Sequence, residues 1–251
     1  MVKQRLDKLL VDRGLAASRE RAQALVLAGR VLVNGQKVEK PGTAIHGAAE
    51  LRLLGSDLRY VSRGGLKLEK ALEHWRIKVE GLSCLDVGAS TGGFTDCLLQ
   101  HGAARVIAVD TGYGQIHLSL REDPRVRLLE KTNARYLRAE DVLEPISLVV
   151  MDVSFISATL VLPAVVQAAF SRTHTEAAQN KHIIVLVKPQ FEVGRTQVGK
   201  RGIVRDPAAQ LAAVEKVRQK VVELGATSTD FIESPILGAE GNREFLLYAI
   251  F

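Results

Sequence analysis

Two lysines and two acids stand where buried elements of the chain are expected to begin or end. Asp152 and Lys188 each follow a short apolar run, Lys67 precedes the first such run, and Glu244 opens the last one. Amines and carboxylates can move protons, and residues that end the strands of a parallel sheet meet beside a bound ligand. A charged residue after a buried strand can also simply lie at the solvent-exposed rim of the sheet, so neither Asp152 nor Lys188 alone identifies a site.

A glycine-rich turn follows the first apolar run. Residues 86–94 read Asp-Val-Gly-Ala-Ser-Thr-Gly-Gly-Phe, and glycines allow a tight turn and close approach of a ligand to the backbone. The next run ends at Asp110, where a carboxylate can accept hydrogen bonds from a ribose diol. This order of residues predicts a cofactor of the adenosine type rather than an ordinary strand-to-helix connection.

The sequence of the turn distinguishes between such cofactors. A dinucleotide site requires G-x-G-x-x-G, which lets a pyrophosphate sit on the helix N-terminus, but here Gly88 is followed by Ala89 and Ser90. The pattern D-x-G-x-x-x-G is typical of S-adenosylmethionine methyltransferases, and a dehydrogenase is the weaker alternative. We assign to the cofactor site Asp86, Gly88, Ala89, Ser90, Thr91, Gly92, Gly93, Phe94, Asp110, Asn133 and Asp152.

Alternating strands and helices must position these residues. The predicted strands are 83–87, 105–109, 147–151, 182–187, 228–232 and 245–251, and the predicted helices are 93–101, 115–122, 156–170 and 207–224. This alternation predicts an α/β fold with a Rossmann-like, doubly wound and mostly parallel sheet, whose last strand is antiparallel. We place this domain at residues 65–251, after a linker at residues 59–64.

Residues 1–58 predict a separate, small α+β domain. Short helices in this part end at glycines, Ser18 is placed to cap the second helix, and Asn34-Gly35 joins the two strands of a hairpin. Of the formal net charge of +6, residues 1–60 carry +5, residues 61–80 carry +2 and the rest carries −1. The excess of positive charge therefore lies in residues 1–80, and most of it in residues 1–60.

Such a basic face can neutralise phosphates, although a solvated surface is the plain alternative. A second group of cations lies in the segment 191–206, a loop long enough to be functional or simply a flexible surface excursion. The residues predicted to bind RNA are Arg5, Ser18, Arg19, Arg21, Gln23, Arg30, Asn34, Lys37, Arg63, Arg195, Lys200 and Arg201.

Two resemblances to known families bear on these predictions. The motifs RLD at 5–7, SRxxA at 18–22 and AGxVxVNG at 28–35 resemble the alpha-L RNA-binding module over residues 3 to 54. Over the whole chain, the sequence resembles the TlyA family, historically called hemolysins. The motifs that carry this resemblance are SRGGxKL at 62–68, DVGASxGGFTD at 86–96, MDVSFI at 151–156 and KPQFE at 188–192.

The TlyA resemblance implies a reaction. The family joins the alpha-L module to an FtsJ-like ribosomal RNA 2′-O-methyltransferase that uses S-adenosylmethionine and acts on a cytidine ribose. Its Lys-Asp-Lys-Glu catalytic set carries over onto Lys67, Asp152, Lys188 and Glu244, and Glu240 is a nearby competitor for the last place. Arg201 departs from the family, in which glycine is expected at this place in the loop.

The reaction explains why the family's catalytic set consists of lysines and acids. A ribose hydroxyl is a poor nucleophile and must lose its proton as its oxygen attacks the methyl group. Lysine has a reference pKa of about 10.4, so it acts as a base only where burial or positive charge lowers that value. We expect Lys188 to be the base, with Lys67 and the sulfonium favouring its deprotonation and with Asp152 and Glu244 orienting the amines.

Other classes of protein find less support. Cys84 and Cys97 are the only cysteines and have neither metal nor disulfide spacing, and the sequence shows no signal peptide and no apolar stretch of membrane-spanning length. We therefore expect a cytoplasmic protein without a metal, with ribosomal RNA or a ribosomal subunit as its partner. A ribosome-assembly protein without turnover and a membrane-lytic hemolysin are the alternatives, and the oligomeric state stays open.

Overall fold

The structure, a computed structural model, describes residues 3–16, 18–54, 59–170, 181–238 and 240–251. The chain divides into two compact units, Met1–Leu58 and Arg59–Phe251. The domain end that the sequence predicts at residue 58 lies outside the described residues.

The first unit is a small α+β domain. Its elements are β1 (Lys3–Arg5), α1 (Leu6–Asp12), α2 (Arg19–Leu27), β2 (Val31–Val33), β3 (Gln36–Lys37), β4 (Ala44–His46) and β5 (Leu51–Leu53). Strand β2 pairs antiparallel with β3 and β5, and β1 pairs with β4. Apolar side chains of both helices and of β2 form its core.

Two local predictions for this unit are confirmed. The Ser18 hydroxyl accepts a hydrogen bond from the backbone N–H of Arg21 at 3.2 Å, which caps α2. The hairpin turn between β2 and β3 has positive φ at Asn34 (49°) and Gly35 (79°), as a tight turn between two right-twisted strands requires. The chain therefore reverses where the sequence predicted.

The second unit is built around one sheet. Its strands are β6 (Ser83–Val87), β7 (Arg105–Val109), β8 (Val126–Leu129), β9 (Leu148–Met151), β10 (His182–Val187), β11 (Ser228–Glu233) and β12 (Phe245–Ile250). Its helices are α3 (Gly64–His74), α4 (Gly93–Gln100), α5 (Leu118–Arg121), α6 (Ala158–Phe170), α7 (Pro189–Glu192) and α8 (Pro207–Glu223). Short 3-10 turns lie at Ala134–Tyr136, Arg195–Gln197 and Lys200–Gly202.

The sheet has the order β11-β12-β10-β9-β6-β7-β8. Its strands are parallel except β12, which runs antiparallel to both of its neighbours. From β6 the chain winds first toward β7 and β8 and later toward β9 and β10, so the direction of winding changes at β6. Ligands bind beyond the carboxyl ends of the strands at such a point. The predicted doubly wound sheet with an antiparallel last strand is confirmed.

Apolar side chains cover both faces of this sheet. One buried cluster contains Val149, Val185 and the inner faces of α6 and α8, and the other contains Cys84, Ile184 and the inner faces of α3 and α4. The central strands are buried on both sides for this reason, which explains why they read as continuous apolar runs. Both cysteines are buried and free.

Some strands were not predicted. Strand β8 was missed because its four residues, Val-Arg-Leu-Leu, include an arginine and lie at the edge of the sheet. In the first unit, β1, β4 and β5 are three residues long and carry no clear alternation. Short strands of this kind exist because a partner strand is near, and the local sequence contains little sign of that pairing.

Candidate active site

The glycine-rich turn connects β6 to α4. Gly88 and Gly92 have φ values of 86° and 95°, in the region that favours glycine. A Cβ atom at Gly88 would collide with the carbonyl oxygen of Asp152. Only glycine at this position lets the turn after β6 lie directly against the end of β9.

Asp86 lies beneath this turn and is fully buried. Its Oδ2 accepts a hydrogen bond from the Thr95 hydroxyl at 2.6 Å, and its Oδ1 has no hydrogen-bond partner. Burial, which disfavours the charged carboxylate, raises the pKa of Asp86 to about 7. The side chain therefore connects the end of β6 to the start of α4, where Thr95 lies, and is shielded from solvent.

Asp110 holds the other side of the turn. It ends β7, and its oxygens accept backbone N–H groups from Ser90 at 2.8 Å and Gly112 at 2.7 Å. Ile116 and Leu128 line a small recess beside it. Each carboxylate oxygen has two lone pairs, so the partly exposed Asp110 can still accept hydroxyl donors.

An open cavity of about 240 Å³ lies above the turn. Residues of the turn form one wall, and the start of α3, Asp152 directly after β9 and the segment between β11 and β12 form the others. The lining residues are Ser62, Arg63, Gly64, Lys67, Gly88, Ala89, Ser90, Thr91, Gly93, Phe94, Asp152, Ile236 and Leu237. Two of the four predicted catalytic residues, Lys67 and Asp152, therefore border the same cavity as the glycine turn.

Lys67 forms a buried ion pair with Glu244. The Lys67 Nζ lies 2.5 Å from Glu244 Oε2, and the two side chains are 11% and 3% exposed. A Cβ at Gly238 would overlap the Glu244 carboxylate, so glycine at that position leaves room for the acid. Glu240 is exposed, and it is Glu244 that contacts Lys67.

Lys188 forms the second pair, with Asp152. The two atoms Lys188 Nζ and Asp152 Oδ1 lie 2.5 Å apart, at angles outside those of a hydrogen bond. The amine donates to the Ser154 hydroxyl at 2.7 Å. Because Lys188 directly follows β10 and Asp152 directly follows the neighbouring β9, the parallel pairing of these strands brings the two side chains together.

Phe155 is a feature that the sequence analysis did not single out. Its side chain is 92% exposed, its φ is 63°, and its ring lies 5.4 Å from that of Phe191. Left-handed backbone costs a non-glycine residue about 1–2 kcal/mol, so other contacts must hold this conformation. The sequence signal that could have found Phe155 is its position, three residues after Asp152 and therefore beyond the end of a buried strand.

Several predicted RNA-binding residues of the first unit already contact other groups of that unit. Arg5, Arg19 and Gln23 donate to the buried carboxylate of Asp7, and the pKa of Asp7 falls well below its usual range, chiefly because of Arg5. Asn34 accepts the backbone N–H of Glu50, Lys37 pairs with Glu39, and Arg30 donates to the Leu54 carbonyl. Arg21 is half-buried at the start of α2.

The remaining predicted cations lie in the second unit. Arg63 is exposed at the rim of the cavity, and Arg195, Lys200 and Arg201 are exposed in the loop between α7 and α8. Arg201 has φ 63°, which explains why glycine is expected there. Asn133 is exposed and accepts the backbone N–H of Arg135.

The described residues contain neither a membrane-spanning helix nor a cluster of metal ligands. Within those parts of the chain, no helix has both the length and the apolar character needed to cross a bilayer. In the same residues, no cluster of three or more His, Cys, Asp or Glu side chains could hold a metal ion.

The sheet with its single antiparallel strand and the glycine turn beneath the cavity define a methyltransferase-type α/β domain. The family profile of the FtsJ-like methyltransferases matches residues 60–251, and that of the S4 domain matches residues 4–51. The chain belongs to the FtsJ-like methyltransferase family and carries an N-terminal S4 domain. The resemblance that the sequence motifs indicated is confirmed.

Individual relatives agree with this assignment. The chain is 47% identical to the 16S/23S rRNA (cytidine-2′-O)-methyltransferase TlyA of Mycobacterium tuberculosis, over 97% of this chain and 88% of that protein. A solved structure of a hemolysin-named protein from Streptococcus thermophilus shares 45% identity, with a TM-score of 0.72 over 100% of this chain and 89% of that one. Aeropyrum pernix fibrillarin, solved with bound S-adenosyl-L-methionine, shares the fold at 12% identity and a TM-score of 0.50, with 74% of each chain covered.

Proposed function

We propose that this protein is an S-adenosylmethionine-dependent methyltransferase that modifies the 2′-hydroxyl of a cytidine in ribosomal RNA. The observation that carries the proposal is the convergence of the glycine turn, Lys67 and Asp152 on one cavity, with each lysine of the site paired to a carboxylate. The name of the Mycobacterium tuberculosis relative supplies the nucleotide. The S4 domain is a reason to expect RNA as the substrate.

The residues present fit the cofactor. A side chain at Gly88 would fill the space in which the turn meets β9, and the cavity above Gly88 and Gly93 is open. Asp110 can accept a ribose diol, beside the apolar recess of Ile116 and Leu128. When bound, this cofactor supplies a methyl group on a sulfonium, which an incoming ribose oxygen takes up while the sulfur keeps the bonding electron pair.

The chain's own side chains manage the proton. In our proposal, the amine of Lys188 accepts the hydroxyl proton, and Asp152 steadies the resulting ammonium through the contact that it already makes. The Ser154 hydroxyl accepts a hydrogen bond from the same amine and so further restricts its orientation. Lys67, held by Glu244 at the cavity wall, places a positive charge near the ribose oxygen.

Methylation of ribosomal RNA by the purified protein tests the function. Both ribosomal subunits, taken from a strain without this gene, are incubated with S-adenosylmethionine, and 2′-O-methylated positions are mapped in both RNAs. We expect one or a few new cytidine positions. No methyl transfer to either subunit or to naked RNA would refute the proposal.

A variant of Lys188 tests the role of that residue. Lys188→Ala should reduce turnover by a factor of about 10³ or more, because general bases contribute about 10²–10⁴ and an orienting contact is lost as well. Cofactor affinity, measured by calorimetry, should persist. Lys220→Ala, on the outer face of α8, is the matched control and should retain full turnover.

A further inference from the structure

Glu192 is a buried carboxylate that the proposed reaction does not use. Its side chain is 2% exposed, and it ends α7, the short helix that begins directly after Lys188. Burying a carboxylate is costly unless hydrogen bonds and an opposite charge compensate. The groups that Glu192 contacts therefore indicate what the side chain does.

Three donors from two other helical segments reach this carboxylate. The backbone N–H of Ala158 donates to Oε1 at 2.6 Å, and the Ser157 hydroxyl donates to Oε2 at 2.5 Å. Lys216 of α8 lies 3.3 Å from Oε2 and also donates to the Glu192 carbonyl. Since Ala158 begins α6, its N–H has no partner within that helix. Glu192 thus ties the end of α7 to the start of α6.

The two helices that Glu192 joins follow the two strands that end in the active site. The segment between β9 and α6 carries Asp152, Ser154 and Phe155, and the segment between β10 and α7 carries Lys188. On the side of the cavity, the segments meet through the contacts of Lys188 with Asp152 and Ser154. Glu192 supplies a second connection a few residues further along both segments.

The backbone between these connections needs such support. Phe155 holds a left-handed conformation that a non-glycine residue rarely adopts, and such strain persists only where the surroundings impose it. Ser157 and Ala158, which Glu192 binds, follow Phe155 closely, and the Phe155 ring also meets Phe191 of α7. A release at Ser157 and Ala158 would let the segment relax and carry Ser154 away from Lys188.

We propose that Glu192 is a positioning residue for methyl transfer, which holds the β9–α6 and β10–α7 segments together so that Lys188 stays on Asp152 and Ser154. The inference rests on the proposed function. Glu192 does not line the cavity, so its effect passes through Lys188 and through the segment that carries Asp152. Glu192 makes no hydrogen bond or ion pair with the glycine turn after β6, and its loss should therefore affect cofactor binding much less than kcat.

Kinetics of three variants test the proposal. Glu192→Ala removes the acceptors of Ser157 and Ala158, and we expect kcat to fall by about tenfold or more while the cofactor Kd changes by less than about twofold. Glu192→Gln retains an acceptor for Ala158 and should recover kcat to within about threefold of the wild type. Glu215→Ala is the control, because it removes the same charge from a partly exposed position on α8 and should leave kcat unchanged.

Crystal structures of the wild type and the variants give a readout that does not need turnover. In Glu192→Ala, we expect the Lys188 amine to leave Asp152 or Ser154, and in Glu192→Gln we expect it to stay. If the alanine variant does not fold, the same comparison is made between Glu192→Gln and Glu192→Asp, whose shorter side chain cannot reach both Ser157 and Ala158.

Two outcomes would overturn the positioning role. The first is a folded Glu192→Ala with wild-type kcat. The second is a result in which the alanine and glutamine variants lose the same amount of kcat and each also loses cofactor affinity to the same degree. The second outcome would indicate general destabilisation. A wild-type protein that transfers no methyl group to ribosomal RNA would instead refute the proposed function, and the Lys188 positions in the crystal structures would still decide the role of Glu192.

Discussion

Asp7 in the first unit and Asp86 in the second are both fully buried, yet their environments are opposite. Four donors surround Asp7: the side chains of Arg5, Arg19 and Gln23 and the backbone N–H of Lys8. Asp86 has the Thr95 hydroxyl as a donor, but its burial and, to a smaller extent, the charges of Asp152 and Asp110 oppose its ionisation. The pKa of Asp7 is therefore lowered, and that of Asp86 is raised to about 7.

The difference teaches what each buried acid is for. Asp7 is shared by more than one cation, so it orients the guanidinium groups of Arg5 and Arg19 and leaves the cluster positively charged, as phosphate binding requires. Asp86 supports a backbone turn and gains nothing from a charge. At the cavity, each lysine has its own carboxylate, so these two pairs add no net charge to the site.

The largest effect should come from Glu244, a buried acid whose cation is also buried. Glu244→Gln keeps the shape of the side chain but leaves the Lys67 ammonium, 11% exposed, without a counter-charge. Breaking a buried pair on one side costs about 3–5 kcal/mol of unfolding free energy, and we also expect methyl transfer to be lost. Urea unfolding at pH 7.5 measures the first effect.

The double variant Lys67→Met/Glu244→Gln separates charge from packing. Since it removes the unpaired charge, it should recover most of the stability that the single variant loses, without recovering activity. Equal stabilities of the single and double variants would mean that packing around Glu244, and not the ion pair, dominates.

The next effect concerns the pH dependence that Asp86 gives to stability. The folded protein holds a proton on Asp86 up to about pH 7, whereas the unfolded chain releases it near its ordinary pKa of 3.8. Between these values the folded state binds more protons, so stability falls as pH rises, by up to about 4 kcal/mol. Asp86→Asn should leave the free energy of unfolding unchanged near pH 4 and raise it at pH 8.

Unfolding experiments on the wild type and on Asp86→Asn at several pH values check this sign. The difference between the two proteins should grow from pH 5 to pH 8 and then level off. A difference that stays constant over that range would show that Asp86 is ionised at all these pH values and that burial does not raise its pKa.

Asp7 should show the opposite sign. Its pKa is lowered in the folded state, so its contribution is present above its unfolded pKa near 3.8 and is lost as pH falls below it. Arg5 and Arg19 are about half exposed and solvent screens their pairs, so we expect Asp7→Asn to cost only about 1–3 kcal/mol at pH 7. The loss should shrink toward pH 3, which acid titration of both proteins measures.

Sequence patterns located the site but not its pairings. The strands that end in Asp152 and Lys188 could be predicted because they are buried on both faces and read as apolar runs, and the glycine turn because its φ values exclude most other residues. That Lys188 pairs with Asp152 and Lys67 with Glu244 depends on the strand order β12-β10-β9-β6. Strand order is not encoded in any local pattern.

The sequence patterns also did not indicate which side chains of the site are buried and which are exposed. Asp86 in the motif looks like a ligand-binding acid, but the neighbouring turn covers it completely. Phe155 belongs to the MDVSFI motif, and nothing in that motif indicates that its backbone is left-handed or that its side chain is 92% exposed. Both outcomes depend on how the ends of β6, β9 and β10 pack against one another, which is a tertiary property.

The smallest effect should come from a single surface cation of the first unit. Lys37 is exposed and pairs with the exposed Glu39, so Lys37→Gln should leave the free energy of unfolding nearly unchanged. If Lys37 contacts a phosphate, the slope of log Kd for RNA against log salt should decrease by about 0.7–0.9. Lys220→Gln in the second unit is the matched control and should leave the slope unchanged. Equal changes in both variants would mean that RNA is held by the overall charge of the chain and not by the first unit.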